Sequence, residues 1–218
     1  MIAPTDTTAR PAGKARGRKR AAPSPGRTAA ETGARTIVFT VGHSTRALDD
    51  FIALLTAHHV QRLVDVRTVP RSRHNPQFNR DTLPQGLQTA GIGYVHMAGL
   101  GGLRKPRPDS GNAAWRNLSF RGYADHMQTA EFAQSLDELM AAARKEQLAL
   151  MCAEAVPWRC HRSLIGDALL AHELAVEEIV DAKRRQPHRL TPFAVVDGTT
   201  ITYPAADGPA GRQPELFP

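Results

Sequence analysis

The two cysteines of the chain, Cys152 and Cys160, are the side chains with the most evident capacity for chemistry. The helical periodicity after them places Cys160 at the start of a helix. Unpaired backbone N–H groups and the positive end of the helix dipole lower a thiol pKa at such a position. His161 and Arg162 add cationic neighbours. We therefore predict a reactive thiolate at Cys160, with Cys152 as the second candidate catalytic cysteine.

Two further residues could serve as general acid or base beside this thiol. Glu154 follows Cys152 closely in the chain, and His43 follows the first predicted strand. A carboxylate or an imidazole within hydrogen-bond reach can accept and return a thiol proton. The alternative is that both cysteines are small buried hydrophobic residues without a catalytic part.

Metal binding is another use for the same side chains, because Cys152, Cys160, His161 and His43 supply soft and borderline ligands. The Cys-x7-Cys-His spacing, however, matches no zinc finger or zinc ribbon. Adjacent residues on a helix point about 100° apart, so Cys160 and His161 are not expected to converge on one ion. We therefore predict no cofactor, and a metal bound by these four side chains stays the less favoured alternative.

Arginine-rich and glycine-rich segments indicate a site for anions. Guanidinium groups bind phosphate through paired hydrogen bonds, and backbone N–H groups beside glycines can do the same. Residues 66–121 hold nine basic residues against two acidic ones, in a chain with a formal net charge of +7. The candidate anion-binding residues are Ser44, Arg67, Arg71, Arg73, Gly101, Gly102, Arg104, Arg116, Arg121, Tyr123, His161 and Arg162.

The elements that must position these residues follow from the hydrophobic pattern. From Thr36 onward, short runs rich in β-branched residues alternate with helical periodicity, which is typical of βαβ units. Asp197-Gly198 predicts a C-terminal β-hairpin. Strands are predicted over residues 36–41, 62–66, 93–97, 148–151 and 176–180. The predicted fold is α/β: a Rossmann-like three-layer sandwich whose mostly parallel sheet of about five strands is flanked by helices.

Polar motifs follow the predicted strands at their carboxyl ends, beginning with Gly42-His43-Ser44 after the first strand. In open α/β sheets, ligands bind at this edge because loops and helix N-termini converge there. Thr45 is the expected N-cap of the helix that follows the first strand. The sequence therefore predicts one site along one edge of the sheet.

Composition divides the chain into three parts. Residues 1–35 carry eight basic residues against two acidic ones and few large apolar side chains, which predicts a disordered basic tail. Residues 36–203 are the single predicted α/β domain, and residues 204–218 a flexible C-terminal tail. The longest unbroken apolar run, Leu148–Ala153, is much shorter than the roughly 20 residues of a membrane span. A cytoplasmic protein with no membrane partner is expected; the sequence does not indicate its oligomeric state.

The C-terminal segment, residues 213–218, resembles the Gln-x-x-Leu-Phe peptide by which bacterial DNA-metabolism proteins dock on the sliding clamp. Leu216 and Phe217 would be the apolar anchors, and Gln213 the polar contact. The alternative is that the two apolar side chains fold back on the domain. A sliding clamp is thus one candidate partner, and nucleic acid, attracted by the basic segments, is the other.

Several longer motifs carry a family resemblance. They are VGHSTR at 41–46, DVRTVPRSRHNPQFN at 65–79, GLGG at 99–102, WRNLSFRGYADHM at 115–127 and CAEAVPWRCHRSLI at 152–165. Over residues 36–179 the chain resembles the family called domain of unknown function 488 (DUF488). The resemblance implies a Rossmann-like α/β fold and a site built from these segments, and it implies no particular activity.

Three functions remain open at this point. The first is a nucleic-acid-associated enzyme, in DNA repair or modification, whose arginines hold the backbone while a Cys/Glu/His site acts on the target. The second is a non-catalytic module that binds nucleic acid or the sliding clamp and has structural cysteines. The third is a thiol-dependent enzyme that acts on a small anionic substrate. A Rossmann-like fold cannot decide between them, because such folds host many functions.

Overall fold

The computed structural model describes residues 36–205. The basic tail predicted over residues 1–35 and the clamp-docking residues Gln213, Leu216 and Phe217 lie outside this part of the chain. Within it, no helix is long and apolar enough to cross a membrane.

Within the described residues, a six-stranded sheet forms the centre of the fold. Its spatial order is β3-β2-β4-β1-β5-β6. The first five strands are parallel, and β6 pairs with β5 in the antiparallel sense. The strands are β1 (Ile37–Gly42), β2 (Arg62–Asp65), β3 (Gly93–His96), β4 (Leu148–Cys152), β5 (Ala175–Ile179) and β6 (Arg185–Pro187).

Helices cover both faces of this sheet. They are α1 (Leu48–Ala57), α2 (Leu83–Thr89), α3 (Leu118–His126), α4 (Ala130–Ala143) and α5 (Arg162–Ala171). Phe39 and Val41 of β1 pack in one core with α1 and α2, whereas Val38 packs in the other core with α4 and α5. Successive side chains of a strand point to opposite faces, so one buried strand supplies both cores. The predicted three-layer α/β fold is confirmed.

The predicted hairpin is also present, as β7 (Val195–Asp197) paired with β8 (Thr200–Thr202). Gly198 adopts φ +58° in its turn, a left-handed conformation that glycine adopts without steric cost. The sixth strand of the main sheet was not predicted. β6 contains three exposed residues, one of them Pro187, and lacks the apolar alternation of a buried strand.

One predicted helix boundary is wrong. The N-cap of α1 is Ala47 and not Thr45, and no side-chain hydrogen bond caps this helix. Two residues, Asp49 and Asp50, place negative charge in the first turn instead, where it favours the positive end of the helix dipole.

Candidate functional site

The strand order creates a crevice at the carboxyl end of the sheet. β4 lies between β1 and β2. The chain leaves β1 toward α1 on one face and leaves β4 toward α5 on the other. Connections that diverge in this way leave an opening between the strand ends, which is the usual ligand position in open α/β sheets.

Backbone hydrogen bonds join the segments that follow β1 and β4. The N–H of His43 donates to the carbonyl of Cys152 at 3.0 Å, and the N–H of Ser44 donates to the carbonyl of Ala153 at 3.0 Å. A Cβ atom at position 42 would overlap the carbonyl oxygen of Glu154, so this close approach requires Gly42. The loops that carry the predicted catalytic residues are therefore fixed side by side.

Cys152, Cys160 and His161 form a cluster in this crevice. Their two Sγ atoms and one imidazole nitrogen lie within 4.8 Å of one another. Cys160 has an extended backbone with φ −134° and ψ 143°, and α5 begins only at Arg162. Cys160 and His161 are thus not successive residues of a helix, and the expectation that their side chains diverge is wrong.

His161 is oriented by a hydrogen bond on the far side of its ring. Its Nε2 donates to the carbonyl of Val66 at 2.9 Å, and Nδ1 lies 3.7 Å from the Sγ of Cys160. A proton on Nε2 leaves Nδ1 of the neutral ring free to accept the thiol proton. Gly102 makes room for this ring, because a Cβ at Gly102 would lie 2.9 Å from Nδ1.

The surroundings shift the pKa values of the two thiols in opposite directions. Burial acts to raise the pKa of Cys160. Two hydrogen bonds to the thiolate, one from Cys152 and one from His161 once its Nδ1 holds the thiol proton, act together with the charge of Arg162. They outweigh burial and lower this pKa well below its ordinary value. The pKa of Cys152 is raised, because Cys152 hydrogen-bonds to the Cys160 sulfur and is itself buried. The pair thus favours one thiolate, on Cys160, held by one protonated thiol.

Arg162 is a fully buried cation beside the cluster. Its Nη1 donates to both carboxylate oxygens of Glu178, at 3.3 and 3.2 Å, and its Nη2 donates to the carbonyl of Glu154 at 2.8 Å. Thr40 Oγ1 also donates to Glu178. Burial raises the pKa of Glu178 against the opposing effect of Arg162. The paired carboxylate permits a buried guanidinium near the thiols, where an unpaired charge would be costly.

The two predicted acid-base residues do not face the Cys160 sulfur as expected. The side chain of Glu154 is exposed, and its main-chain carbonyl makes the contact with Arg162. His43 donates from Nδ1 to the carbonyl of Ser44 at 2.8 Å, and its Nε2 meets Nη1 of Arg67 at 3.3 Å. The geometry instead places His161, predicted as an anion contact, nearest to the thiol.

Arg67 is likewise engaged inside the protein. Its guanidinium forms a two-point ion pair with Asp65, at 2.9 and 2.6 Å, and also donates to the carbonyl of Phe78 at 2.6 Å. Tyr94 adds a hydroxyl hydrogen bond to Asp65 at 2.8 Å. Arg67 therefore ties the end of β2 to the segment at Phe78.

Other members of the predicted anion set are bound to main-chain carbonyls. Arg104 donates to Gly101 at 3.1 Å, Arg121 donates to Trp115 at 2.9 Å, and the Tyr123 hydroxyl donates to Leu100 at 2.8 Å. Ser44 is half-buried with φ +49°. The remaining arginines of the set, Arg71, Arg73 and Arg116, are exposed.

Two site residues were missed in the sequence. Glu178 neutralises Arg162, and Asp65 neutralises Arg67. A faint signal exists for each: Glu178 is an acid inside a strand that also carries apolar residues, and Asp65 ends a buried strand. Neither pattern identifies the arginine that pairs with the acid. For Glu178 of β5, that arginine is Arg162 of α5, which is a different element.

The three side chains of the cluster are also of the types that bind zinc, and their separations suit one tetrahedral ion. The buried charge of Arg162 is neutralised by Glu178, so it does not by itself exclude a cation at this position. The cluster thus has two chemical uses, as a nucleophile with its base or as a ligand set.

The comparisons with known proteins identify a family. No curated protein and no solved structure matches the chain significantly. The family described as "Domain of unknown function DUF488" matches residues 47–169. The matched region runs from α1 to α5 and includes Cys152, Cys160 and His161. Since this match spans more than half of the chain, the protein belongs to the DUF488 family.

Proposed function

We propose that this protein is a thiol-dependent enzyme in which the Cys160 thiolate is the nucleophile and His161 the general base. The observation that carries the proposal is the geometry at Nδ1 of His161, which lies 3.7 Å from Sγ while Nε2 is bound to Val66. A nucleophile, a base and a group that orients the base form the arrangement of activated-nucleophile enzymes.

In the proposed reaction, the Cys160 proton passes to Nδ1 of His161. The sulfur then forms a bond to an electrophilic substrate atom while the bond to the leaving group breaks. The leaving group departs with that electron pair and takes the proton from His161. Water next attacks the sulfur-bound group, gives one proton to His161 and releases Cys160 as the thiolate.

Two neighbours support the thiolate during these steps. Cys152 hydrogen-bonds to it, and Arg162 supplies a nearby positive charge. Cys160 is only 2% exposed, so contact between a substrate and the sulfur requires neighbouring residues to move.

The test of this proposal is an ultraviolet titration of thiolate absorbance in the full chain. The wild-type protein is expected to form one thiolate with a pKa below the free value of about 8.5. Cys160→Ser should remove that thiolate. Cys152→Ala and His161→Ala should each raise the pKa, because alanine has no side-chain donor to hydrogen-bond the Cys160 sulfur.

Two results would contradict the assignment. One is a wild-type thiolate pKa at or above about 8.5. The other is one equivalent of zinc in the purified protein that is lost in Cys160→Ser, since the cluster would then be a metal site. If Cys160→Ser lowers stability without affecting the thiolate titration, the cysteines are structural.

The second candidate function is association with nucleic acid, in DNA repair or modification. It is favoured by the basic segment of residues 66–121, six of whose nine cations are exposed. They are Arg71, Arg73, Arg80, Lys105, Arg107 and Arg116. Exposed cations can bind phosphate, whereas the buried Arg67 and the half-buried Arg104 and Arg121 are committed to internal partners. Docking on the sliding clamp through residues 213–218 stays a prediction.

A further inference from the structure

A cavity of about 660 Å³ lies beside the thiol cluster. It opens at the ends of β1 and β5 and is bounded by residues 155–158, the first turn of α5 and residues 186–192. Its volume falls within the usual range for small-molecule sites. Arg162 and Ser163 line the cavity, and Ser163 Oγ also donates to the carbonyl of Cys160 at 3.0 Å.

Two of the residues that line this cavity carry a buried donor nitrogen. Among residues 36–205, Nε of Arg162 and Nε1 of Trp115 have no hydrogen-bond partner. The Arg162 side chain is completely buried and Trp115 is 7% exposed, and both residues line the cavity. The Arg162 guanidinium also contacts the Cys160 side chain, whereas the indole N–H of Trp115 is left without a partner, and buried donors usually have one in the functional state. A ligand acceptor atom would supply the partner of this indole N–H once the Trp115 ring turns toward the cavity, because the nitrogen has almost no accessible surface in this structure.

The wall formed by residues 186–192 is held in place by a buried network. Asp167 of α5 accepts hydrogen bonds from His188 at 2.8 Å, from the N–H of Thr191 at 3.1 Å and from the Tyr203 hydroxyl at 2.8 Å. Gly166 allows the ring of His188 to pack closely on the helix. The cavity is therefore built by specific contacts.

The lining indicates the chemistry of the ligand. Trp158 is 47% exposed and offers a flat aromatic surface. Arg46, Arg162 and Arg189 supply three cations, and Glu178, whose carboxylate is paired with Arg162, is the acidic residue among the lining. Aromatic faces stack on planar rings, and arginines bind phosphate.

We propose that this cavity binds a mononucleotide-sized ligand: a planar heteroaromatic ring that carries acceptor atoms and a phosphate. The ring stacks on Trp158, an acceptor of the ring meets the indole N–H of Trp115 after that side chain turns toward the cavity, and the phosphate is bound by Arg46 and Arg189. This site does not depend on Cys160 being a nucleophile, so it can exist even if the thiol proposal fails.

The test uses tryptophan fluorescence, because the chain has two tryptophans and both line the cavity. The probes are the monophosphates of adenosine, guanosine, cytidine, uridine and thymidine, added to the full chain. The comparison ligands are the same nucleosides without phosphate, and ribose 5-phosphate without a base. At least one monophosphate is expected to give saturable quenching, at least tenfold tighter than its nucleoside and than ribose 5-phosphate.

Variants locate the site by calorimetry. Arg46→Ala and Trp158→Ala should each weaken binding of that monophosphate at least tenfold. Arg144→Ala is the matched control, because Arg144 is an exposed arginine that follows α4 at the opposite edge of the sheet, and it should leave binding unchanged. The thermal midpoint of each variant checks that it remains folded.

Three results would overturn this proposal. The first is the absence of saturable quenching by every monophosphate at millimolar concentration. The second is equal binding by the nucleoside, which would show that the phosphate is not recognised, or by ribose 5-phosphate, which would show that the ring is not recognised. The third is an unchanged affinity in both Arg46→Ala and Trp158→Ala. None of these outcomes affects the thiolate titration, so the two proposals fail separately.

Discussion

His43 is held in its neutral form by the groups that meet its ring. Burial lowers the pKa of His43 to about 4, and the charge of Arg67 acts in the same direction. Nε2 faces Nη1 of Arg67, so a second ring proton would oppose a guanidinium donor. The ring also stacks on Phe78 at 4.1 Å between centroids. These contacts favour the neutral form of the His43 ring.

We predict that His43 makes stability dependent on pH. Its pKa is lower in the folded state than its ordinary value of 6.5, so its contribution is complete above pH 6.5 and lost as the pH falls toward about 4. In His43→Asn the side-chain amide can still donate to Ser44, but the titrating group is gone. The unfolding free energy of wild type, measured relative to that of His43→Asn, should fall by about 2–3 kcal/mol between pH 6.5 and about 4.

Urea unfolding at several pH values measures this effect. The other acidic and basic groups contribute equally to both proteins and cancel in the difference. A difference in unfolding free energy that stays constant between neutral pH and pH 4 would show that the His43 pKa is not lowered.

At the scale of elements, the long irregular segment between β3 and α3 is anchored by one carboxylate. Asp125 accepts hydrogen bonds from the N–H of Arg107 at 2.8 Å, from Ser110 Oγ at 2.6 Å and from Asn112 Nδ2 at 2.8 Å. Asn112 in turn accepts from the N–H of Tyr203 at 2.9 Å. These contacts fix the segment that carries Trp115 to the helix α3 and to the residues after β8.

Asp125→Ala is therefore expected to lower the free energy of unfolding by about 2–4 kcal/mol. The variant loses three hydrogen bonds to a charged acceptor, and their donors are left without a partner. Asp109→Ala is the control. Asp109 lies in the same segment but is 87% exposed, and its removal should cost less than about 0.5 kcal/mol. Denaturant unfolding compares the two variants. Similar losses in both would mean that Asp125 does not anchor the segment.

At the scale of the whole molecule, the positive charge is uneven. The chain carries a formal net charge of +7, and residues 66–121 contribute nine basic residues against two acidic ones. Arg71 and Arg73 follow β2 at the carboxyl edge of the sheet and are exposed, close in the chain to the site segments. Cations placed at this edge can hold a phosphate backbone near the crevice.

We predict that the full chain binds duplex DNA with an affinity that falls as salt rises. Replacing Arg71 and Arg73 together by Ala should reduce the slope of log K against log salt by about 2, since each neutralised phosphate contributes about 0.9. The control replaces Arg144 and Lys145, which are exposed at the opposite edge. A salt series with both pairs, with and without residues 1–35, measures the effect.

Equal slope changes in the two pairs would mean that the charge acts without regard to position. Complete loss of binding on removal of residues 1–35 would assign the affinity to that tail alone. Either result would remove the carboxyl edge of the sheet from the proposed nucleic-acid interface.

The sequence alone determined the class of fold. Alternating runs of β-branched and helical residues predicted the parallel strands, and Asp197-Gly198 predicted the hairpin, because these signals come from neighbouring residues. The carboxyl-edge position of Cys152 followed in the same way. Strand β6 was not predicted, because an exposed edge strand needs no apolar alternation. It forms only through its hydrogen bonds with β5.

Only the tertiary structure decided which side chains work together. The extended backbone at Cys160 turns its sulfur toward His161, and the placement of β5 beside β1 brings Glu178 to Arg162. Such pairings depend on backbone dihedrals at single residues and on contacts between distant elements, and neither leaves a local pattern. The sequence therefore supplied the candidate residue types, and the three-dimensional arrangement decided which of them lie together, which ions pair in the interior and where the cavity lies.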